Sequence, residues 1–256
     1  MLNIQAVPAL IDNYIWLIHS VDSNEIIIVD PGDATPVIKV ITEQHLSPVA
    51  ILNTHYHYDH VDGIAELVDR YQLPVYGPPN SFVPRLSTSL SATDKLSVHP
   101  KFPDFEVLEI PGHTATHIAY RVHDMVFCGD TLFASGCGRL LGGTAEQLFN
   151  SLQQICSLPT ETKIYCGHEY TQSNLKFALK VEPNNIAIKQ RIEDSKKLRA
   201  ANLPTLPTTI AEELTTNPFL RCDQAEVIQA AQRFTGTKLT NPLAVFTALR
   251  AWKDRP

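Results

Sequence analysis

Four residues with metal-binding side chains lie within six positions in the stretch Thr54-His55-Tyr56-His57-Tyr58-Asp59-His60. Imidazole and carboxylate suit Zn²⁺ and similar borderline cations, whereas a soft thiolate site needs clustered cysteines. In an extended chain His55 and His57 project to the same side, and Asp59-His60 adds two donors as the chain turns towards a helix. Without a cation, four such side chains would crowd one another in an ordinary surface turn. By contrast, His19, His45, His99 and His123 each stand alone and read as hydrogen-bonded turn residues.

Three further donors follow one pattern, an apolar run followed at once by a turn in which a glycine immediately precedes a metal-type residue. Val107-Leu108-Glu109-Ile110 leads to Gly112-His113, Met125-Val126-Phe127-Cys128 to Gly129-Asp130, and Lys163-Ile164-Tyr165-Cys166 to Gly167-His168. Each glycine is expected to free the backbone just before the donor. Strands that end at one edge of a sheet bring such residues together, and ligand crevices lie at that edge in many α/β proteins. Seven nitrogen and oxygen donors match two ions better than one. His117, four residues after His113, reads as a structural neighbour, and Tyr56 and Tyr58 alternate away from the histidines and read as packing.

The elements that must carry these residues are legible as periodicities. Residues 4–9, 14–18 and 25–29 are short β-type runs, the last closed by Asp30-Pro31-Gly32, and 49–53 reads as a buried strand ahead of the first histidine. Residues 35–43 and 61–71 carry helical spacing, and Thr144 with Gln147 forms a capping-box pattern opening a helix to about residue 158. Beyond about residue 171 strand-like alternation stops. Helices are expected over 184–201, 223–234 and 241–252, with Leu203-Pro204-Thr205-Leu206-Pro207 as a turn or linker.

The 256 residues are 44% hydrophobic and 19% charged, which suits one or two globular domains and argues against disorder. Charge is uneven: residues 1–172 carry 8 Lys+Arg against 19 Asp+Glu, a net of −11, and 173–256 carry 13 against 8, a net of +5. An acidic part suits cations and a basic part an anionic ligand. The five cysteines are odd in number and widely spaced, so neither a disulfide framework nor a thiolate zinc knuckle is expected. The N-terminus lacks a basic region, and no apolar run approaches the ~20 residues that span a bilayer. The expectation is a soluble cytoplasmic monomer that binds neither membrane nor nucleic acid.

The pattern Thr54-His55-x-His57-x-Asp59-His60, with Gly112-His113, Gly129-Asp130 and Gly167-His168, resembles the metallo-β-lactamase superfamily. Five more stretches are similar to glyoxalase II (hydroxyacylglutathione hydrolase): Gly136-Cys137-Gly138-Arg139, Cys166-Gly167-His168-Glu169-Tyr170-Thr171, Asn174-Leu175-Lys176-Phe177-Ala178, Asn217-Pro218-Phe219 and Leu249-Arg250-Ala251-Trp252-Lys253-Asp254. The resemblance covers almost the whole chain. It implies an α+β fold in which an αββα sandwich, residues 1–172, is followed by a smaller all-helical glutathione-binding domain, residues 173–256. It implies that His55, His57 and His113 hold one metal, that Asp59, His60 and His168 hold a second, and that Asp130 bridges them. Zn²⁺ is the expected ion, and the same donors accept Fe or Mn²⁺. Arg139, Tyr170, Arg250 and Lys253 fill the substrate-contacting positions. Leu141 departs from the pattern, since some members carry an aromatic residue there, often tyrosine, and only a backbone contact remains available.

The reaction so implied is hydrolysis of S-D-lactoylglutathione to D-lactate and glutathione, the second step of methylglyoxal detoxification, by hydroxide held between two cations. A pair of ions lowers the pKa of a shared water from 15.7 towards ~7, so no separate general base is needed. Asp59 and Asp130 are the catalytic carboxylates of this reading, Asp59 also orienting the nucleophile. Arg250 and Lys253, three apart on a helix, share one face, although the spacing alone fits a solvated helix end equally well. The main rival is a persulfide dioxygenase of the same superfamily, with one iron and glutathione persulfide as substrate. A β-lactamase, a structural metal site and a phosphodiesterase are further alternatives, the last disfavoured by the acidic character of the metal-bearing part.

Overall fold

The computed structural model describes residues 2–80, 82–92 and 94–255. The chain divides into two compact units, residues 1–109 with 116–129, and residues 110–115 with 130–256. The boundary expected after residue 172 falls inside the second unit.

In the first unit, β1 (Asn3–Ala9), β2 (Asn13–His19) and β3 (Glu25–Val29) form an antiparallel meander, with Ala9 paired to Asn13 and Trp16 to Val29. α1 (Ala34–Gln44) then crosses over to β4 (Ser47–Leu52), which lies parallel to β3. Its first turn is capped by Asp33, whose carboxylate accepts from Thr35 N at 2.8 Å. A four-residue helix α2 (Tyr58–Val61) and α3 (Ile64–Tyr71) lead to β5 (Val75–Gly77) and β6 (Thr88–Ser89), which extend the parallel side. The single helix expected over 61–71 is therefore two, interrupted at Asp62-Gly63.

Every residue of β2 from Asn13 to Ile18 is buried, as expected for a strand covered on both faces. Ile15, Leu17, Ile26, Ile28 and Ile51 pack with Val37 and Ile41 of α1 and with Ile64 and Leu67 of α3. Each such side chain stabilises by about 1.5–3 kcal/mol on burial. The rest of the unit is the antiparallel run β10-β9-β8-β7, made of β7 (Lys95–Leu96), β8 (Phe105–Glu109), β9 (Ile118–Val122) and β10 (Met125–Gly129).

The second unit begins with a short hairpin, β11 (Leu132–Phe133) and β12 (Gly136–Cys137). α4 (Ala145–Cys156) opens with the expected capping box: Thr144 Oγ1 accepts from Gln147 N at 3.1 Å and Gln147 Oε1 from Thr144 N at 2.9 Å. After β13 (Lys163–Cys166) come α5 (Thr171–Val181), α6 (Ile186–Ala200), the two-residue strand β14 (Thr208–Thr209) and α7 (Ile210–Thr216). A 3₁₀ turn, Pro218–Leu220, precedes α8 (Ala225–Thr235) and α9 (Pro242–Lys253). The expected helices at 184–201, 223–234 and 241–252 correspond to α6, α8 and α9.

The segment 203–207 is tied down rather than free. Thr205 donates from its amide and its hydroxyl to the Glu169 carboxylate at 2.8 and 2.5 Å. No helix among the described residues is long and apolar enough to cross a membrane. All five cysteines are free thiols.

Candidate functional site

In the first unit β4 ends at Leu52, and the next eight residues carry His55, His57, Asp59 and His60. The rings of His55 and His57 meet edge to face at 4.8 Å, those of His55 and His60 at 4.1 Å, and Asp59 Oδ2 lies 3.7 Å from His60 Nε2. His55 and His60 are buried, while His57 and Asp59 are half-buried. Asn13, at the start of β2, donates to both the backbone oxygen and Oδ2 of Asp59 at 3.1 Å, which fixes the carboxylate.

The residue that organises this cluster is Asp30, which the sequence reading took as part of a strand-closing turn. It is buried, with a positive φ of 50°. Oδ1 accepts from Thr54 N at 2.7 Å and Asn53 Nδ2 at 3.2 Å, and Oδ2 from Thr54 Oγ1 at 2.6 Å and His60 Nδ1 at 3.2 Å. The Thr54 hydroxyl proton is thereby committed to Asp30, so at 3.0 Å its oxygen accepts from His55 Nδ1. In a neutral ring whose Nδ1 donates, the lone pair is on Nε2. Asp30 thus sets the tautomers of two imidazoles at once, one directly and one through Thr54.

His117 is buried and stacked on His55 at 4.5 Å, and its Nδ1 donates to Ile118 O at 3.1 Å, as suits a structural neighbour. Gly129 has φ +48°, and a Cβ there would come within 2.3 Å of Thr54 Oγ1 and 2.9 Å of His117 Cε1, so the close packing excludes a side chain. Tyr56 packs against Phe82 at 6.0 Å, but Tyr58 is 71% exposed. It opens α2 and points to solvent rather than into packing.

In the second unit His113, Asp130 and His168 come together. Asp130 Oδ2 lies 3.5 Å from His113 Nε2 and 3.3 Å from His168 Nε2, and all three residues are buried. His113 Nδ1 donates to Arg139 O at 2.8 Å, which again puts the lone pair on Nε2. The loop bearing His113 is pressed on α4. Ser151 donates to Pro111 O at 2.7 Å, and at Gly112 (φ +145°) a Cβ would sit 2.4 Å from Leu148 Cα. Of the three glycines expected to free the backbone, Gly112 and Gly129 have positive φ and Gly167 does not. Neither cluster contains a thiol. Buried nitrogen and oxygen donors, with Nδ1 of three imidazoles already engaged so that Nε2 is presented, fit divalent ions of the Zn²⁺ type.

The four remaining candidates line one cleft of about 420 Å³ in the second unit: Arg139, Tyr170, Arg250 and Lys253, together with Phe133, Cys137, Asn174, Asp254 and Arg255. Tyr170 stacks on His168 at 4.6 Å with the rings 2° from parallel, so the cleft adjoins the His113–Asp130–His168 cluster. Arg250 is only 3% exposed, donating to Cys137 O at 2.9 Å, Gly138 O at 3.3 Å and Asp254 Oδ1 at 2.9 Å. That is not a solvated helix end. Lys253 donates to Asn174 Oδ1 and lies 5.8 Å from the ring centres of Phe177 and Phe219. Burial, reinforced by the Arg250 charge, lowers its pKa to about 8. Burial also pushes the Cys137 thiol up. Arg139 is largely exposed, with Nε 3.5 Å from Asp254. Leu141 is exposed, and its amide donates to His113 O at 3.0 Å.

Comparison with known proteins places these features in a family. Residues 11–168 match the family model described as the metallo-beta-lactamase superfamily, and residues 169–256 the one described as hydroxyacylglutathione hydrolase C-terminus. The chain is 46% identical over 254 residues to a hydroxyacylglutathione hydrolase of Nitrosomonas europaea, covering 99% of this chain and 96% of that one. It is 48% identical to the hydroxyacylglutathione hydrolase of Nitrosomonas eutropha, covering 99% of each. The crystal structure of ETHE1 from Myxococcus xanthus superposes with a TM-score of 0.66 at 24% identity, covering 99% of this chain and 98% of that one, a likeness of fold.

Proposed function

The chain belongs to the hydroxyacylglutathione hydrolases of the metallo-β-lactamase superfamily, and from that premise we propose that it cleaves S-D-lactoylglutathione to D-lactate and glutathione. The single observation that carries the substrate is the cleft in which Arg139, Tyr170, Arg250 and Lys253 meet. Four cations, Arg139, Arg250, Lys253 and Arg255, line the cleft against one carboxylate, Asp254. That excess suits the two carboxylates of the glutathione moiety, and the guanidinium fork of arginine matches carboxylate geometry. Residues 1–172 act as the catalytic domain and 173–256 as the glutathione-binding domain in this reading.

For the reacting end, His55, His57 and His113 would hold one divalent cation, Asp59, His60 and His168 would hold a second, and Asp130 would serve both. Zn²⁺ is the ion the donors suit best, with Fe and Mn²⁺ compatible. When bound, such a pair supplies an activated water and a Lewis acid for the thioester carbonyl. The protein's own part is orientation. Asp30 and Arg139 O hold imidazole Nδ1 protons so that each Nε2 keeps its lone pair for a cation, and Asn13 holds the Asp59 carboxylate. The leaving thiol, with a pKa near 8.5, departs as thiolate without a dedicated acid. A monomeric enzyme of the cytoplasm, with no nucleic-acid or membrane partner, completes the proposal.

The test is hydrolysis of S-D-lactoylglutathione by purified protein, with metal content measured on the same sample. Thioester turnover with two ions per chain is expected. One iron per chain with oxygen uptake on glutathione persulfide would hand the site to the dioxygenase reading instead.

A pH effect follows from Lys253. Its pKa is lowered to about 8, so the side chain is charged below that pH and loses its charge as pH rises through it. KM should be flat from pH 6.5 to 7.5 and rise about tenfold by pH 9.5, the worth of one charge-assisted contact. Lys253→Met should start at the higher KM and lose this rise, which separates it from titration of the substrate's own amine. A pH-independent KM in the unmodified protein would remove Lys253 from the carboxylate contacts.

A further inference from the structure

We propose that Asn217, backed by Glu213, is a positioning residue for the substrate cleft, clamping the hairpin that joins Asp130 to Arg139. The inference rests on the thioester-hydrolase reading and assigns a task to the Asn217-Pro218-Phe219 stretch, which the reaction itself leaves unused. The hairpin is minimal: Leu132 pairs with Cys137 and Phe133 with Gly136, and only Ala134-Ser135 lies between. Ser135 adopts φ +55° without being glycine. A two-residue hairpin in which one non-glycine residue takes the left-handed region does not hold its shape by its own ladder.

Its stability comes from side chains outside it. Asn217 is fully buried, and its Nδ2 donates to Phe133 O at 3.3 Å, Gly136 O at 2.9 Å and Glu213 Oε2 at 2.8 Å. The same Glu213 oxygen accepts from Ser135 N at 2.8 Å, and its other oxygen pairs with Arg191 Nη1 at 2.8 Å. Asn174 Nδ2 donates to a further turn carbonyl, Ala134 O, at 2.9 Å.

The hairpin leads directly into the cleft. Arg250 grips Cys137 O and Gly138 O, and the next residue is Arg139. On the other side, Asp130 precedes β11 by two residues. A shift of the turn therefore moves the carbonyls that aim Arg250 and the backbone that carries Arg139. A purely structural role would lower stability without moving substrate affinity.

The experiment compares Asn217→Ala with Glu182→Gln in the full metal-loaded chain. Glu182 is also buried and pairs with Arg221 at 2.8 Å, and its hydrogen bonds among the described residues go to Arg221 and Asn185 rather than to the hairpin. Asn217→Ala should raise KM for S-D-lactoylglutathione, and Kd for S-methylglutathione by calorimetry, about tenfold with kcat changed far less. Glu182→Gln should lower Tm and leave both constants as in the unmodified protein. If Asn217→Ala does not fold, Asn217→Ser, which keeps one donor, is read the same way. Loss of Tm with KM and Kd unchanged in the Asn217 variant overturns the clamp. Should the unmodified protein bind S-methylglutathione but hydrolyse nothing, the assigned reaction fails, while the Kd comparison still decides the role of Asn217.

Discussion

Asp130→Asn should lower kcat/KM for S-D-lactoylglutathione by about 10³ and leave fewer than two ions bound per chain. Asparagine keeps the volume and one oxygen of aspartate but removes the negative charge, and charge is what a carboxylate serving two cations contributes. One Asp130 oxygen stands within 3.5 Å of Nε2 of both His113 and His168, so the change falls between two proposed ligands rather than at an edge of the site. Cost to the metal-free fold should be small. Asp130 follows β10 directly in a loop, and a neutral amide in the same volume leaves no buried charge behind. The measurement is metal content by elemental analysis beside kcat and KM, with Tm of the metal-free proteins as control. Two ions and near-normal kcat in the variant would remove Asp130 from the bridging position and with it the two-metal arrangement.

The seven proposed donors could be located from sequence because they follow the ends of short apolar runs, and such runs are strands with few alternatives. β8, β10 and β13 fall on the expected segments, and so does β4 ahead of His55. Asp30 was not legible. Asp-Pro-Gly after a strand is ordinary turn chemistry, and nothing local says that this carboxylate is buried. Its role arises because β3 and β4 are parallel and end at one edge, where Asp30 N donates to Leu52 O at 3.0 Å and its side chain meets Thr54 from 24 residues away.

The missed helices have a similar cause. α5 starts directly after Tyr170 without a side-chain cap, so no start signal marks it. α7 is seven residues long, too short for periodicity to register, although Thr209 and Glu212 do form a capping box. In the C-terminal stretch the spacing placed Arg250 and Lys253 on one face correctly, but only the fold reveals that this face is inward.

That burial changes what Arg250 should do when removed. From sequence alone, Arg250→Ala is expected to raise KM far more than it lowers kcat. In the structure the guanidinium is 3% exposed, holds two backbone carbonyls of the 132–139 segment, pairs with Asp254 and lies 5.2 Å from the centre of the Phe219 ring. Arg250→Met, which keeps the stem and discards the fork, should therefore show two signatures together. Losing a charge-assisted contact to a glutathione carboxylate, and the aim of Arg139 with it, should raise KM about 30- to 100-fold while kcat falls less than about threefold. Leaving Cys137 O and Gly138 O without their donor should cost about 2 kcal/mol, which in a chain of this size lowers Tm by roughly 4–8 °C. Arg139→Ala is the contrast. Its side chain is 68% exposed and lies 3.5 Å from the Asp254 carboxylate, so KM should rise less and Tm should stay in place. A fall in Tm for Arg250→Met with KM unmoved would make Arg250 a strut of the helical unit and leave the carboxylate contacts to Lys253 and Arg139.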